Sequence, residues 1–99
     1  MNMQNLMAQA QRMQRDLQKK QEEIYEMEFT STSGAVTAKL NGKKEIIKIE
    51  IDKSILHDEE DLEALEDMIK IAINDAIKQI EKTVEQKLGG LAKGLNGLM

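Results

Sequence analysis

Ninety-nine residues with neither proline nor cysteine bound one small domain held by apolar packing, because disulfides and thiolate metal sites are excluded. With Tyr25 and Phe29 as the sole aromatic residues, so small a core gains from oligomerisation. The net charge of −4 speaks against a generally basic nucleic-acid binder, yet residues 1–48 carry eight Lys/Arg against six Asp/Glu and residues 49–99 carry six against twelve, which puts any polyanion site in the first half.

No apolar run approaches the roughly 20 residues of a membrane-spanning helix. The opening MNMQNLMAQAQRMQRD is polar where a signal peptide would be apolar, so a cytoplasmic location without a membrane partner is expected.

The first two dozen residues are rich in Gln, Met, Lys and Glu, good helix formers with no breaker among them. Met3, Leu6, Ala10, Met13, Leu17, Ile24 and Met27 keep three- and four-residue spacing, interrupted at Lys20. That narrow seam resembles a coiled-coil stripe, and a helix over residues 2–23, about 33 Å long at 1.5 Å per residue, outruns what a short sheet can cover. Met3, Leu6, Ala10, Met13 and Leu17 are therefore the expected dimer interface, on a helix that projects as an arm.

From Tyr25 the pattern changes to a period of two through Met27 and Phe29, which predicts a strand. A turn at Thr32-Ser33-Gly34 leads to Val36, Ala38 and Leu40 on one face, with Thr37 and Lys39 on the other. Asn41-Gly42 then predicts a two-residue type I′ hairpin. That loop would pair Leu40 with Lys43 and Val36 with Ile47, placing Ile47, Ile49 and Ile51 on the apolar face.

Past Asp52 the acidic run Asp58-Glu59-Glu60-Asp61 precedes a long helical pattern, with Asp58 as N-cap and its neighbours matched to the helix dipole. Leu62, Leu65, Ile69, Ala72, Ile73, Ala76, Ile80, Val84 and Leu88 form a broad apolar face, and Gly89-Gly90 supplies a stop. The expected class is α+β: an N-terminal amphipathic helix, a three-stranded antiparallel meander and a long or broken C-terminal helix. Residues 1–90 would form one dimerising domain and 91–99 a mobile tail.

Catalysis has little to stand on, since His57 is the single histidine and the acidic run lacks the alternating pattern of a calcium loop. No glycine-rich loop leads from a strand into a helix. No cofactor, metal or small-molecule substrate is expected. The chemistry lies instead in the cations. Arg12, Arg15 and Lys19 form one ridge on the first helix, with Lys20 beside it, and Lys43 and Lys44 sit at the hairpin. The competing reading is a solvated face in which Arg12 and Arg15 pair with Asp16, Glu22 and Glu23.

Three stretches in this order, MQNLMAQAQRMQRDLQKKQEEI, SGAVTAKLNGKKEIIKIEID and LEDMIKIAINDAIKQIEKT with Ala72, Asn74, Asp75 and Ala76, make the chain resemble the YbaB/EbfC family of small bacterial nucleoid-associated proteins. The resemblance covers nearly the whole chain and is weakest over the last ten residues. It implies a homodimer with a central body and projecting helical arms that binds double-stranded DNA with at most modest sequence preference, associates with the nucleoid and is not an enzyme. Charge and position nominate Arg12, Arg15, Lys19 and Lys20 for phosphate contact, with Lys43 and Lys44 as second choice. The alternative is a protein-interaction adaptor for replication, recombination or DNA-repair proteins.

Overall fold

A computed structural model describes residues 2–96, with side chains through residue 89. The order is α1 (Met3–Glu26), β1 (Glu28–Ser33), β2 (Val36–Asn41), β3 (Ile46–Ile51), a 3₁₀ turn (Lys53–Ile55) and α2 (Glu59–Asn96). The strands form an antiparallel sheet in the order β1-β2-β3. This is the expected α+β arrangement, drawn out to 71 × 22 × 15 Å.

α2 covers one face of the sheet. Ala72, Ala76 and Ile80 recur every four residues and are wholly buried, as are Val36, Ala38 and Leu40 on the central strand. Two alanines in the middle of the contact stripe leave room for the helix to settle onto β2, and Phe29 closes the core from β1. The opposite sheet face, carrying Thr37, Lys39, Lys48 and Glu50, stays polar. Leu62, assigned to the apolar stripe by its spacing, is exposed near the start of the helix.

The acidic run begins α2 as expected. Asp58 accepts the Asp61 N–H at 3.1 Å, and Asp61 reaches back to accept the N–H groups of His57 at 2.8 Å and Asp58 at 3.2 Å. This reciprocal box satisfies amides that the first helical turn leaves open.

Four local expectations need correction. Tyr25 belongs to α1, which continues to Glu26, and the strand begins only at Glu28. The period-two reading failed because Gln21-Glu22-Glu23 carries no helix breaker and buried Ile24 anchors the last turn.

The hairpin is not type I′. Its loop is Gly42-Lys43-Lys44, the Lys44 N–H donates to the Asn41 carbonyl at 3.0 Å, and Lys44 takes the positive φ of 67°. Asn41 stands at the first position of the turn, its side-chain oxygen accepting from Lys43 N–H at 2.9 Å and Glu45 N–H at 3.1 Å. A three-residue loop with a left-handed third residue is the next commonest hairpin solution.

The longer loop shifts the register. Val36 faces Ile51 and Ala38 faces Ile49, while Leu40 faces Ile46 across an irregularity that leaves Ile47 outside the pairing. Ile47 is thus half exposed instead of lying opposite Val36.

Gly89-Gly90 does not end α2, which runs unbroken to Asn96. Glycine inside a helix costs about 1 kcal/mol relative to alanine without forbidding the conformation, and the burial of Leu88 just before the pair offsets it. Of the tail expected at 91–99, the backbone to Asn96 is helical, and residues 97–99 lie outside the described residues.

Candidate nucleic-acid interface

α1 leaves the body of the molecule as a long rod. Asn2 caps it, accepting the Gln4 N–H at 3.0 Å, and its 24 residues span about 36 Å at 1.5 Å per residue. The rod is attached at its C-terminal end, where Ile24 is buried and the chain passes so close to the hairpin loop that a Cβ on Gly42 would fall on the Ile24 carbonyl. Towards the N-terminus the seam lies open: Met3 is 76% exposed, Leu6 and Met13 are also exposed, and so is Met7 beside them.

The cations nominated from sequence fall into two groups. On α1, Arg12, Arg15, Lys19 and Lys20 are all exposed. Among the described residues none of them has a carboxylate within 4.0 Å, so the pairing of Arg12 and Arg15 with Asp16, Glu22 and Glu23 does not occur. At 100° per residue Arg12, Arg15 and Lys19 share one side of the helix, whereas Lys20 falls in the apolar seam. Arg15 shares a shallow surface with Gln11, Gln14 and Gln18, amides whose donors suit phosphate oxygens. Charge alone did not select these glutamines, although their recurrence beside the arginines was visible.

Three of the four hairpin lysines face a carboxylate. Lys44 meets Glu81 at 3.4 Å, Lys39 meets Glu28 at 3.3 Å and Lys48 meets Glu50 at 2.7 Å. The last pair holds the Lys48 ammonium above its usual range and the Glu50 carboxyl below its own, mainly through the hydrogen bond between them. Lys43 lies 5.5 Å from the centre of the Tyr25 ring, on a surface it shares with Glu22, Glu26 and Glu45. The structure therefore does not gather the six nominated residues into one patch. It separates four cations on α1 that lack an acidic partner among the described residues from two at the loop, of which Lys44 is paired with Glu81 and Lys43 lies over Tyr25.

The model of the YbaB/EbfC DNA-binding family matches residues 1–95. A nucleoid-associated protein of Clostridium novyi is 45% identical over 98 residues, covering 97% of this chain and 85% of the relative. One from Lactococcus lactis is 44% identical over 97 residues, covering 96% and 97% of the two chains. The crystal structure of an uncharacterized Helicobacter pylori protein superposes with a TM-score of 0.73 at 27% identity, covering 100% of this chain and 99% of that one.

Proposed function

The chain belongs to the YbaB/EbfC DNA-binding family, and on that premise we propose that it is a homodimeric nucleoid-associated protein. It binds double-stranded DNA with little sequence specificity through phosphate contacts made by α1. Nucleoid organisation and, through it, gene expression are the processes such binding would influence.

One contrast carries the assignment to α1: among the described residues its four cations have no carboxylate within 4.0 Å, while Lys39, Lys44 and Lys48 each do. A phosphate competes poorly for an ammonium already facing an acid, and it meets an unpaired guanidinium with two donors in a planar fork. Arg12, Arg15, Lys19 and Lys20 are thus the primary contacts, and Lys43 and Lys44 contribute less. An arm without aromatic side chains before Tyr25 offers no platform for stacking unpaired bases, which favours the duplex.

The seam of Met3, Leu6, Ala10, Met13 and Leu17, exposed except at half-buried Leu17, supports packing against another helix in the dimer. An isolated amphipathic helix gains most of its stability from such packing.

Duplex binding measured by fluorescence anisotropy across a salt series tests the proposal. Affinity should fall steeply with salt, by a slope of about 0.9 per phosphate neutralised. Reversing Arg12, Arg15, Lys19 and Lys20 to glutamate should remove most of the binding, and reversing Lys43 and Lys44 should cost less. Unchanged affinity after the four reversals would overturn the α1 assignment. Absence of duplex binding at low salt, with protein partners that survive nuclease treatment in a pull-down, would favour the adaptor instead.

A further inference from the structure

α2 holds the turn between β1 and β2 through a sulfur atom. Gly34 and Ala35 form that two-residue turn, and Ser33 pairs with Val36 beneath it. Gly34 takes φ 55° while Ala35 stays outside the positive range, the arrangement of a type II′ hairpin with glycine first.

The Ala35 N–H lies outside the strand ladder and needs an acceptor of its own. The Met68 thioether supplies it, with Sδ 3.4 Å from the Ala35 nitrogen. The Ala35 carbonyl is held as well, accepting the Asp52 N–H at 2.9 Å. Ala35 is thus fixed from two sides, to α2 by its N–H and to the segment after β3 by its carbonyl.

This clasp has no spare room. A Cβ built on Gly34 would come within 2.8 Å of Met68 Sδ and 2.9 Å of its Cε, so the thioether lies close against the glycine backbone. Met68 packs on the core cluster but is only half-buried, and Gly34 above it is exposed. A small peroxide therefore reaches the side chain while the protein stays folded.

We propose that Met68 is a reversible oxidation site whose sulfoxide releases the β1–β2 turn from α2. The oxidant is a peroxide. With hydrogen peroxide, one oxygen passes to a sulfur lone pair, the O–O bond breaks as the S–O bond forms, and water leaves. Sulfur loses two electrons and the peroxide gains them.

Either lone pair leads to loss of the clasp or of packing. Oxygen on the one facing Ala35 stands between sulfur and nitrogen, and the 3.4 Å separating them cannot hold an S–O bond together with an N–H···O contact of about 2.7–3.2 Å. Oxygen on the other turns an apolar contact of the core into a polar one.

The other described methionines lack this coupling. Met3, Met7 and Met13 are exposed on α1, where a sulfoxide leaves the core untouched. Met27 Sδ receives the Lys87 ammonium at 3.8 Å, and a flexible lysine can follow a new oxygen. The Ala35 backbone cannot follow in the same way, because Asp52 holds its carbonyl.

The inference is independent of the nucleic-acid reading, and its test reads stability. A variant carrying Met3→Leu, Met7→Leu, Met13→Leu and Met27→Leu leaves Met68 as the sole methionine with a described side chain. It is exposed to graded hydrogen peroxide at neutral pH, with sulfoxide at Met68 followed by peptide mass mapping and unfolding by circular dichroism at one protein concentration.

The midpoint should fall by about 4–8 °C in step with the Met68 sulfoxide fraction, and the Ala35 amide proton, read by NMR, should exchange faster. Methionine sulfoxide reductases acting on both epimers should restore the midpoint. Adding Met68→Leu, a swap close in volume, should abolish the peroxide response.

Met68 oxidised with the midpoint and the Ala35 exchange unmoved would overturn the proposal. So would a shift of equal size after Met68→Leu, or a Met68 that stays unoxidised in the folded chain. Should Met68→Leu fail to fold, the correlation between sulfoxide fraction and midpoint in the first variant decides alone.

Discussion

The Ser31 hydroxyl donates to the Asp75 carboxylate at 2.7 Å, tying β1 to α2. Among the described residues Ser31 is the one buried polar side chain. Its burial on the apolar face of the sheet is tolerable because that bond satisfies the hydroxyl. Gln79 completes the group, its amide donating to Asp75 at 3.2 Å and to the Thr30 carbonyl at 3.4 Å. Asp75 was visible in the sequence as part of the α2 pattern, but its pairing with Ser31 was not, since the contact spans 44 positions.

This cluster makes stability depend on pH. The Ser31 hydrogen bond, seconded by Gln79, holds the Asp75 carboxyl below the usual aspartate range, against a smaller opposing effect of desolvation. A depressed folded-state value stabilises the fold above the unfolded aspartate value of about 3.9, and that contribution is lost as pH falls through the lower folded value. Urea unfolding from pH 7 down to about 3 should show a shallower acid loss in Asp75→Asn than in the parent chain. An identical acid limb would rule out this origin.

Gly42 is a packing requirement at the root of the arm. An added Cβ would meet the Ile24 carbonyl and lie 2.9 Å from the Tyr25 Cα, both backbone atoms that cannot move aside cheaply. Gly42→Ala should destabilise the protein by about 1–3 kcal/mol, the usual range for overpacking. For a chain of this size that is a drop in Tm of about 4–8 °C per kcal/mol, readable by calorimetry.

Lys44 holds a left-handed backbone conformation at φ 67°, which costs a residue with a side chain about 1–2 kcal/mol. Lys44→Gly should relieve that cost, offset partly by the greater freedom of glycine when unfolded and slightly by loss of the exposed pair with Glu81. The expected result is no loss of stability and a gain of up to about 1 kcal/mol in chemical denaturation. Lys43→Gly, where φ is not positive, should not stabilise.

The helix–sheet contact offers the largest effects. Ala76 is wholly buried at the middle of the α2 stripe, so Ala76→Leu must push the helix off β2, at a cost of about 1–3 kcal/mol. Ile80→Ala, by opening a cavity at an equally buried position, should cost about 2–5 kcal/mol. Denaturation midpoints of the two variants check both, and a loss under about 0.5 kcal/mol, the level of a surface substitution, would contradict the packing.

How far the chain could be read in advance depended on the range of the forces involved. Helix propensity over the first two dozen residues, period-two alternation in β2 and the acidic start of α2 are short-range signals, and all three elements form, with α1 running past its expected end at residue 23 to Glu26. So does the α+β class, because an apolar stripe on α2 and an apolar face on the meander have only each other to cover.

Contacts between distant segments settled the rest. Ile24 seated against Gly42 extended α1 past the apparent change of period, and Asn41 preferred to hold the Lys43 and Glu45 amides over joining a two-residue turn. That single choice moved Ile51 opposite Val36 and left Ile47 outside the pairing. The candidate site divides in the same way. Composition placed the excess of basic residues in the first half of the chain, but which of them lack a partner depended on where Glu28, Glu50 and Glu81 came to rest. Charge is a property of each residue type, whereas its compensation depends on distance, and distance exists only once the chain has folded.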